Sequence, residues 1–185
     1  LRHGDPTDPE TEIGAIIFDH QMDVAEAQVA DALAKGATLK CGSEKRLGGP
    51  GQFYPPTILT GVTHEMTCAR EETFAPLLPI IKWTDEEEVI RLANDSHLGL
   101  HASIWTRDVG RGRRTAERIR SGTTMVNDLI SSNGMPEAPW HGVKSSGLGQ
   151  VHADDGLRSL CEMRHVNHPR PVPWLTRELW WYPYT

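Results

Sequence analysis

The sequence predicts an α/β fold with a mainly parallel sheet, and three observations support this prediction. The apolar run "PLLPIIKW" (residues 76–83) is typical of a strand that is buried on both faces of a parallel sheet. Two further strand-like segments, "GLHASIWT" and "TTMVND", follow it. Segments with helical spacing separate the three. Because strands joined in this way run parallel, the order predicts right-handed βαβ crossovers.

The first part of the chain predicts a loop, one long helix and two strands. Turn residues dominate "GDPTDPETEIGAII" (residues 4–17), which is therefore expected to be a loop. From Asp19, which can cap a helix, apolar residues recur at helical spacing as far as Gly36, which can end it. The segments "ATLKCG" and "TILTGV" are expected to be short strands on either side of a glycine-rich loop.

The second part predicts two more helices and a long loop. Thr84 is expected to begin a helix, with Glu87 completing a capping box, and residues 115–120 are expected to be helical. The arginine-rich run from Arg107 to Arg120 is expected to be a solvated face balanced by "TDEEE", with anion binding as the alternative. The glycine-rich residues 129–149 form a long loop, which is expected to be either functional or disordered.

Composition and charge exclude several classes of protein. The 185 residues carry a formal net charge of −6, which argues against nucleic-acid binding, and no apolar run is long enough to cross a membrane. The three cysteines are widely separated, so neither a disulfide framework nor a zinc site is expected. We expect reduced thiols, a cytoplasmic protein and no metal site.

The stretch "REETFAPLLPII" contains the most specific candidate site. Neighbours on an extended segment point to opposite sides, so one of Glu71 and Glu72 can face inward together with Phe74. A carboxylate and an aromatic ring on one side suit a ribose that carries a flat heterocycle. The alternative is an exposed acidic corner with Phe74 in the core. Cys68 is interpreted as a structural thiol, because two glutamates follow it and would raise its pKa.

Five segments resemble the motifs of the aldehyde dehydrogenase superfamily, in the family's order and spacing. "REETFAPLLPI" is similar to the family's E-E-x-F-G-P signature, and "LANDSHLGLHASIWT" is similar to A-N-x-x-x-x-G-L-x-A-x-x-x-T. "SGTTMVND" resembles a G-x-x-x-x-N strand, and "PWHGVKSSGLG" resembles P-F-G-G-x-K-x-S-G-x-G. "GDPTDPETEIGAII" resembles the G-D-P segment. Together these segments span Gly4 to about Val166.

The resemblance implies a mechanism and assigns two cofactor-binding residues. A cysteine thiolate attacks the aldehyde, hydride passes to NAD or NADP, and a glutamate activates the water that cleaves the thioester. Glu72 would hydrogen-bond the nicotinamide ribose, and Phe74 would position the nicotinamide ring. By the family's order, the nucleophile, the general base and the dinucleotide-binding domain would precede Leu1. The chain alone is therefore expected to be inactive and to bind no cofactor stably.

Two departures from the family motifs bear on the site. Ala75 stands where the family has glycine, and Trp140 and His141 replace a Phe-Gly pair in the substrate-side loop. Trp140 is expected to narrow the aldehyde entrance, and His141 is expected to be exposed.

The resemblance also divides the chain. Residues 1–160 would belong to the catalytic domain, residues 161–168 would contain the oligomerisation strand (from Cys161 to Val166), and residues 169–185 form a proline-rich aromatic tail. The strand and the tail predict a homo-oligomer without nucleic-acid or membrane partners. The alternative function is a non-catalytic assembly module derived from the same family.

Overall fold

A computed structural model describes residues 1–168 of the protein. Four helices and seven strands lie in this part of the chain. In order they are α1 (Asp19–Ala34), β1 (Thr38–Cys41), β2 (Thr57–Thr60), β3 (Leu77–Ile80), α2 (Glu86–Asn94), β4 (His101–Ile104), α3 (Val109–Ala116), β5 (Thr123–Val126), β6 (Trp140–His141), β7 (Gln150–Val151) and α4 (Ala153–Arg158). The aromatic tail of residues 169–185 lies outside the described residues.

The strands form three small sheets, and the α/β class with parallel strand pairs is confirmed. β2 lies between β1, to which it is antiparallel, and β3, to which it is parallel. β4 and β5 are parallel and are joined through α3, which is the expected βαβ arrangement. β6 and β7 pair antiparallel. The expected single sheet is divided within residues 1–168, because β3 and β4 belong to different sheets.

The core forms where α1 packs against the first sheet. The helix buries one face, on which Met22, Ala25, Val29 and Ala32 are at most 1% exposed. This face packs with Leu59 of β2 and with the loop that follows it. The apolar spacing predicted this helix correctly, because residues three and four apart share one face.

The sequence prediction is correct for the C-terminal end of α1 and wrong for its N-terminal cap. Gly36 follows the last turn with φ +95°, a left-handed conformation that glycine adopts at little cost. Asp19 is not the cap, since Phe18 occupies the N-cap position and no side chain caps the helix there. Asp19 lies instead inside the first turn, where its negative charge favours the helix dipole.

β3 is buried less than expected. Its residues alternate, so that Leu77 is half-buried whereas Leu78 is 55% exposed and Ile80 is 40% exposed. The prediction that this apolar run is covered on both faces is therefore wrong for the described chain. A continuous apolar run predicts a strand, but it does not predict which neighbours cover the two faces.

Both later helices begin at a residue other than the expected one. The cap of α2 is Asp85, whose side chain accepts from the Glu88 amide at 2.9 Å, and Glu88 reaches back to the Thr84 amide at 2.7 Å. The cap therefore lies one residue later than predicted, and the returning bond of Glu88 goes to Thr84, the residue before the cap, instead of to the cap itself. α3 begins at Val109 and ends at Ala116, so it lies mostly before the predicted residues 115–120. The prediction missed its start because glycines in the N-terminal turn hide the helical pattern.

Glycine is required in α3 for packing. A Cβ at Gly112 would lie 2.8 Å from side-chain carbons of Thr106 and Val126, so the helix could not lie this close to β5 with a larger residue. The sequence signal for a helix was weakened by the residue that lets the helix pack.

Two arginines of the basic run pair with acidic residues of α2. Arg111 Nε lies 2.8 Å from a Glu86 carboxylate oxygen, and both guanidinium ends of Arg118 donate to Glu87. The pKa of both carboxyl groups is lowered. At Glu86 the hydrogen bond from the Thr115 side chain is the largest cause and Arg111 adds to it, whereas at Glu87 the largest cause is Arg118. The arginines are about half exposed, which confirms the balanced, solvated interpretation for this pair of residues.

Residues 1–168 contain neither a membrane-spanning helix nor a cluster of metal ligands. No helix in this range is long and apolar enough to span a bilayer. No group of three or more potential metal ligands lies together there. The cytoplasmic location expected from the cysteine pattern stays a prediction.

Candidate functional site

The acidic corner lies between a one-turn 3-10 helix at Thr67–Ala69 and β3. The Glu71 amide donates to the Thr67 carbonyl at 2.9 Å. The 3-10 helix ends at this bond, and the chain continues to β3. Glu71 and Glu72 are both exposed, and Phe74 is 69% exposed. The expectation that one glutamate faces inward is wrong for this chain, and so is the alternative that places Phe74 in the core.

A buried glutamine holds this corner against α1. Gln28 is 2% exposed, and its Nε2 donates to the main-chain oxygen of Glu72 at 3.4 Å. The Thr73 hydroxyl donates to Oε1 of the same side chain. Both polar ends of the amide are therefore satisfied inside the core, as buried polar groups generally are. The sequence analysis missed Gln28, since one polar residue on an otherwise apolar helix face gives no local signal of its partner.

Phe74 lines an uncharged hollow of about 800 Å³. Segments before α1 and around the corner form its walls, which comprise Ile13, Gly14, Ala15, Ile16, Ile17, Phe18, Gln21, Tyr54, Thr73, Phe74, Ala75 and Pro76. Tyr54 is buried, and this burial raises the pKa of its phenol to about 12. Its hydroxyl donates to the Ser43 carbonyl at 3.1 Å. The hollow therefore offers neutral, largely apolar walls, and the exposed Glu72 directly precedes Thr73, which lines it.

This arrangement fits part of a nicotinamide nucleotide. The exposed Glu72 carboxylate can accept hydrogen bonds from ribose hydroxyls, and charged acceptors form the stronger bonds of this kind. The exposed ring of Phe74 can pack on a flat heterocycle. The printed sequence contains no G-x-G-x-x-G turn that would hold the phosphates, so the fit covers the nicotinamide end only.

The glycine-rich loop of residues 129–149 is attached through residues 143–146 to the segment that precedes β4. Four hydrogen bonds of 2.7–3.0 Å connect the two segments. They run from Val143 N to Gly99 O, from Lys144 Nζ to Asn94 O, from Ser145 N to His97 O and from Gly99 N to Ser146 Oγ. The lysine and the serine hydroxyl of the motif thus bind main-chain atoms, so these residues order the loop within the described chain.

Trp140 and His141 form β6, which lies within this loop. Trp140 pairs with Val151 and His141 with Gln150 of β7, and both β6 residues are half-buried. The expectation that His141 is exposed is therefore wrong. Gly122 makes this packing possible, because a Cβ there would lie 1.7 Å from the His141 carbonyl oxygen. The hollow beside Phe74 includes neither Trp140 nor His141, so the two parts of the expected site are separate here.

Of the three cysteines, Cys68 is the buried one. This burial is the largest cause that raises the pKa of its thiol. The charge of Asp31 adds to the shift, whereas the sequence analysis had named the two following glutamates. Cys41 and Cys161 are exposed and free. A thiol with a raised pKa is a poor nucleophile at neutral pH, which supports a structural role for Cys68.

A second residue that the sequence analysis missed lies after β5. Asn127 has φ +57°, and its amide accepts from Thr106 N and donates to Thr106 O, both at 2.8 Å. This pair of bonds joins the ends of β4 and β5. The signal was present in the G-x-x-x-x-N pattern, but the pattern alone does not identify the partner of its asparagine.

Comparison with known proteins identifies the relatives of this chain. The family model described as "Aldehyde dehydrogenase family" matches residues 1–166. A succinate-semialdehyde dehydrogenase [NADP(+)] 1 of Mycobacterium ulcerans (strain Agy99) is 39% identical over 166 residues, which are 90% of this chain and 36% of the relative. A succinate-semialdehyde dehydrogenase [NADP(+)] of Mycobacterium avium (strain 104) is 40% identical over 90% of this chain and 34% of its own length. The chain thus spans about a third of the length of the curated relatives it matches.

Solved structures give the same result. The betaine aldehyde dehydrogenase of Staphylococcus aureus in complex with NAD+ matches 95% of this chain and 36% of its own, with a TM-score of 0.83 and 31% identity. An NAD-dependent aldehyde dehydrogenase from Sinorhizobium meliloti matches 94% of this chain and 34% of its own, with a TM-score of 0.83 and 36% identity.

Proposed function

We propose a function from one premise: this chain belongs to the aldehyde dehydrogenase family. On this proposal it forms the C-terminal portion of an NAD(P)-dependent enzyme. The enzyme oxidises an aldehyde to a carboxylic acid through a cysteine thiohemiacetal and a thioester. The observation that carries the proposal is the corner at Glu72 and Phe74, where an exposed carboxylate lies two positions before an exposed aromatic ring that lines an uncharged hollow.

The corner residues bind and orient the nicotinamide nucleotide. When bound, this cofactor accepts the hydride of the aldehyde. Glu72 accepts hydrogen bonds from the ribose hydroxyls, and Phe74 packs against the nicotinamide ring. Their exposure in this chain supports these roles, since a nucleotide can reach both side chains. Gln28 holds the segment at the Glu72 carbonyl, so that the carboxylate projects from a fixed main chain.

The nucleophile and the general base come from sequence that precedes Leu1. The burial of Cys68 and the raised pKa of its thiol support this proposal, because a protonated thiol in the core cannot attack an aldehyde. On this proposal the 185-residue chain alone is inactive and holds neither NAD nor NADP stably. Both nucleotides occur in the names of the relatives.

The substrate is an aldehyde that passes beside the loop containing Trp140 and His141. Three of the four proteins named above are succinate-semialdehyde or betaine aldehyde dehydrogenases. Trp140 is larger than the phenylalanine of the family motif, so the entrance is narrower and favours unbranched aldehydes. His141 lies on the neighbouring position of β6, where its Nδ1 is buried without a hydrogen-bond partner in the described chain.

The protein associates with copies of itself through residues 161–168 and the aromatic tail. Within the described chain, residues 161–168 are exposed and pair with no strand. Leu160, Met163 and Val166 expose 84%, 102% and 74% of their surfaces, which is costly for apolar side chains in water. A strand from Cys161 to Val166 that pairs with a second subunit would cover Met163 and Val166. The tail lies outside the described residues and enters the proposal from its sequence alone.

The experiment that tests the function uses the full-length protein of the native gene. Formation of NADH and of NADPH is measured with succinate semialdehyde, betaine aldehyde and a series of unbranched aldehydes. We expect cofactor reduction with at least one aldehyde, and much slower reduction in the Glu72→Gln variant. A folded full-length protein that oxidises none of them would leave the non-catalytic assembly module as the better interpretation.

A further inference from the structure

A histidine of β4 lies against the tryptophan of the substrate-side loop. The ring centroids of His101 and Trp140 are 5.8 Å apart, and the ring planes are inclined at 47°. This separation lies within the range in which aromatic rings attract each other beyond simple burial. The two residues are 39 positions apart in sequence, so the contact is made by the fold and not by local structure.

The two partners differ in how firmly the fold holds them. His101 begins β4, which pairs with β5 in register from His101 opposite Thr123 to Ile104 opposite Val126. Trp140 lies in β6, a strand of only two residues, inside a loop that is rich in glycine. A two-residue strand fixes the main chain but leaves the side-chain torsions of Trp140 free. The position of the indole ring therefore depends on what it packs against.

The hydrogen bonding of His101 indicates what the side chain contributes. Its Nε2 is buried and has no hydrogen-bond partner in the described chain. A buried polar atom without a partner costs free energy, so a hydrogen bond at Nε2 is not what the His101 side chain contributes in the described chain. What remains is a flat ring on a fixed strand, in contact with Trp140.

We propose that His101 is a positioning residue for the aldehyde entrance: its ring holds the Trp140 indole in one orientation and thereby limits the width of the substrate it admits. This inference rests on the proposed function, in which Trp140 lines the aldehyde path. It adds a residue that has no place in the family motif and that acts only through Trp140. Substrates affected by it are branched and aromatic aldehydes, whose width exceeds that of an unbranched chain.

The kinetic test compares substrates of different width in the full-length protein. The ratio of kcat/KM for benzaldehyde to kcat/KM for butanal is measured in the wild type and in His101→Ala, His101→Phe and His101→Gln. We expect His101→Ala and His101→Gln to raise this ratio by about two- to tenfold, the size of an aromatic pair contact. The change should lie in KM, with kcat for butanal nearly unchanged. His101→Phe keeps a flat ring and should keep the wild-type ratio.

A double-mutant cycle separates positioning from general loosening of the strand. In a Trp140→Phe background, which carries the smaller ring of the family motif, His101→Ala should leave the ratio unchanged. Ile104→Val at the other end of β4 serves as the matched control and should also leave it unchanged. An equal effect of His101→Ala in both backgrounds would overturn the proposal, because His101 would then act without Trp140.

A structural readout tests the contact independently of activity. The full-length protein is labelled with 5-fluorotryptophan, and the resonance of position 140 is identified by its loss in Trp140→Phe. We expect His101→Ala to shift or broaden this resonance alone, and His101→Phe to leave it a single sharp line. An unchanged resonance in His101→Ala overturns the inference. Absence of aldehyde oxidation in the wild type contradicts the proposed function instead, and the fluorine spectrum still decides whether His101 positions Trp140.

Discussion

The side-chain amide of Gln28, buried in α1, donates to the main-chain oxygen of Glu72 at 3.4 Å. The same amide accepts from the Thr73 hydroxyl. A polar side chain in the core therefore determines where an exposed carboxylate stands on the surface. The strength of this support can be tested, because its loss would disturb the corner without changing any atom of the proposed cofactor site.

Gln28→Leu keeps the volume of the side chain and removes both hydrogen bonds. We expect a loss of about 1–3 kcal/mol in the free energy of unfolding, since the Glu72 carbonyl and the Thr73 hydroxyl lose a partner. In the full-length protein the KM for the nicotinamide nucleotide should rise. Urea unfolding and steady-state kinetics measure the two effects. Gln150→Leu, in β7, is the control and should leave that KM unchanged.

Glu72→Gln and Glu71→Gln form a matched pair of variants at adjacent, exposed positions. Glu72→Gln should slow hydride transfer in the full-length protein, because loss of a charge-assisted hydrogen bond costs roughly 1.5–3 kcal/mol, which is about 10- to 150-fold in rate. Glu71→Gln should have a much smaller effect. Single-turnover measurement of cofactor reduction gives both rates. A larger effect at Glu71 would contradict the assignment of the cofactor-binding carboxylate.

The 185-residue chain alone should oxidise no aldehyde. Its buried thiol, Cys68, has a raised pKa, and the chain contains no complete dinucleotide-binding turn. Reduction of NAD and NADP is assayed with the purified chain and with the full-length protein side by side. Cys68→Ser in the full-length protein should retain activity. Cysteine-dependent turnover by the isolated chain would show that its own thiols suffice.

The ion pairs of Arg46 should make stability depend on pH in the acid range. Arg46 donates hydrogen bonds to Glu26, and its Nε lies 2.8 Å from Oε1 of that carboxylate. These bonds lower the pKa of Glu26 below its ordinary value of 4.5. A carboxyl group whose pKa is lower in the folded state stabilises the fold above 4.5, and this contribution is lost as the pH falls below that value. The difference in unfolding free energy between wild type and Arg46→Met should therefore be largest near neutral pH and shrink below pH 4.5.

Urea unfolding at a series of pH values measures this difference. Arg2→Gln is the control, because the Arg2–Glu10 pair is largely exposed and contributes little. A difference for Arg46→Met that stays constant from neutral to acid pH would exclude Glu26 as its source.

The aromatic tail should strengthen self-association of the full-length protein. Deletion of residues 171–185 is expected to weaken the association constant by at least about tenfold, since buried aromatic side chains often dominate binding energy. Sedimentation at several protein concentrations measures the constant. A second variant keeps the prolines and replaces the five aromatic residues by serine, at Trp174, Trp180, Trp181, Tyr182 and Tyr184. An unchanged constant in both variants would leave the strand from Cys161 to Val166 as the assembly element.

Local patterns predicted most of the elements because helices and strands have fixed periods. The apolar spacing along α1 and the apolar run at β3 were sufficient to identify both elements. The ends of helices were less predictable. Asp85 and Thr84 are both good capping residues, and only the hydrogen bonds of Glu88 show which one caps α2.

The sequence alone determined the family and the α/β class, since motifs and periodicity are local in the chain, and the corner at Glu72 and Phe74 stays a prediction. Tertiary structure decided the rest. Gln28 and Glu72 are 44 positions apart, and no local pattern connects them. Likewise, His101 and Trp140 are 39 positions apart, and their rings meet only in the folded chain. Such contacts depend on the relative placement of elements, which arises from packing of the whole chain and not from the preferences of any one segment.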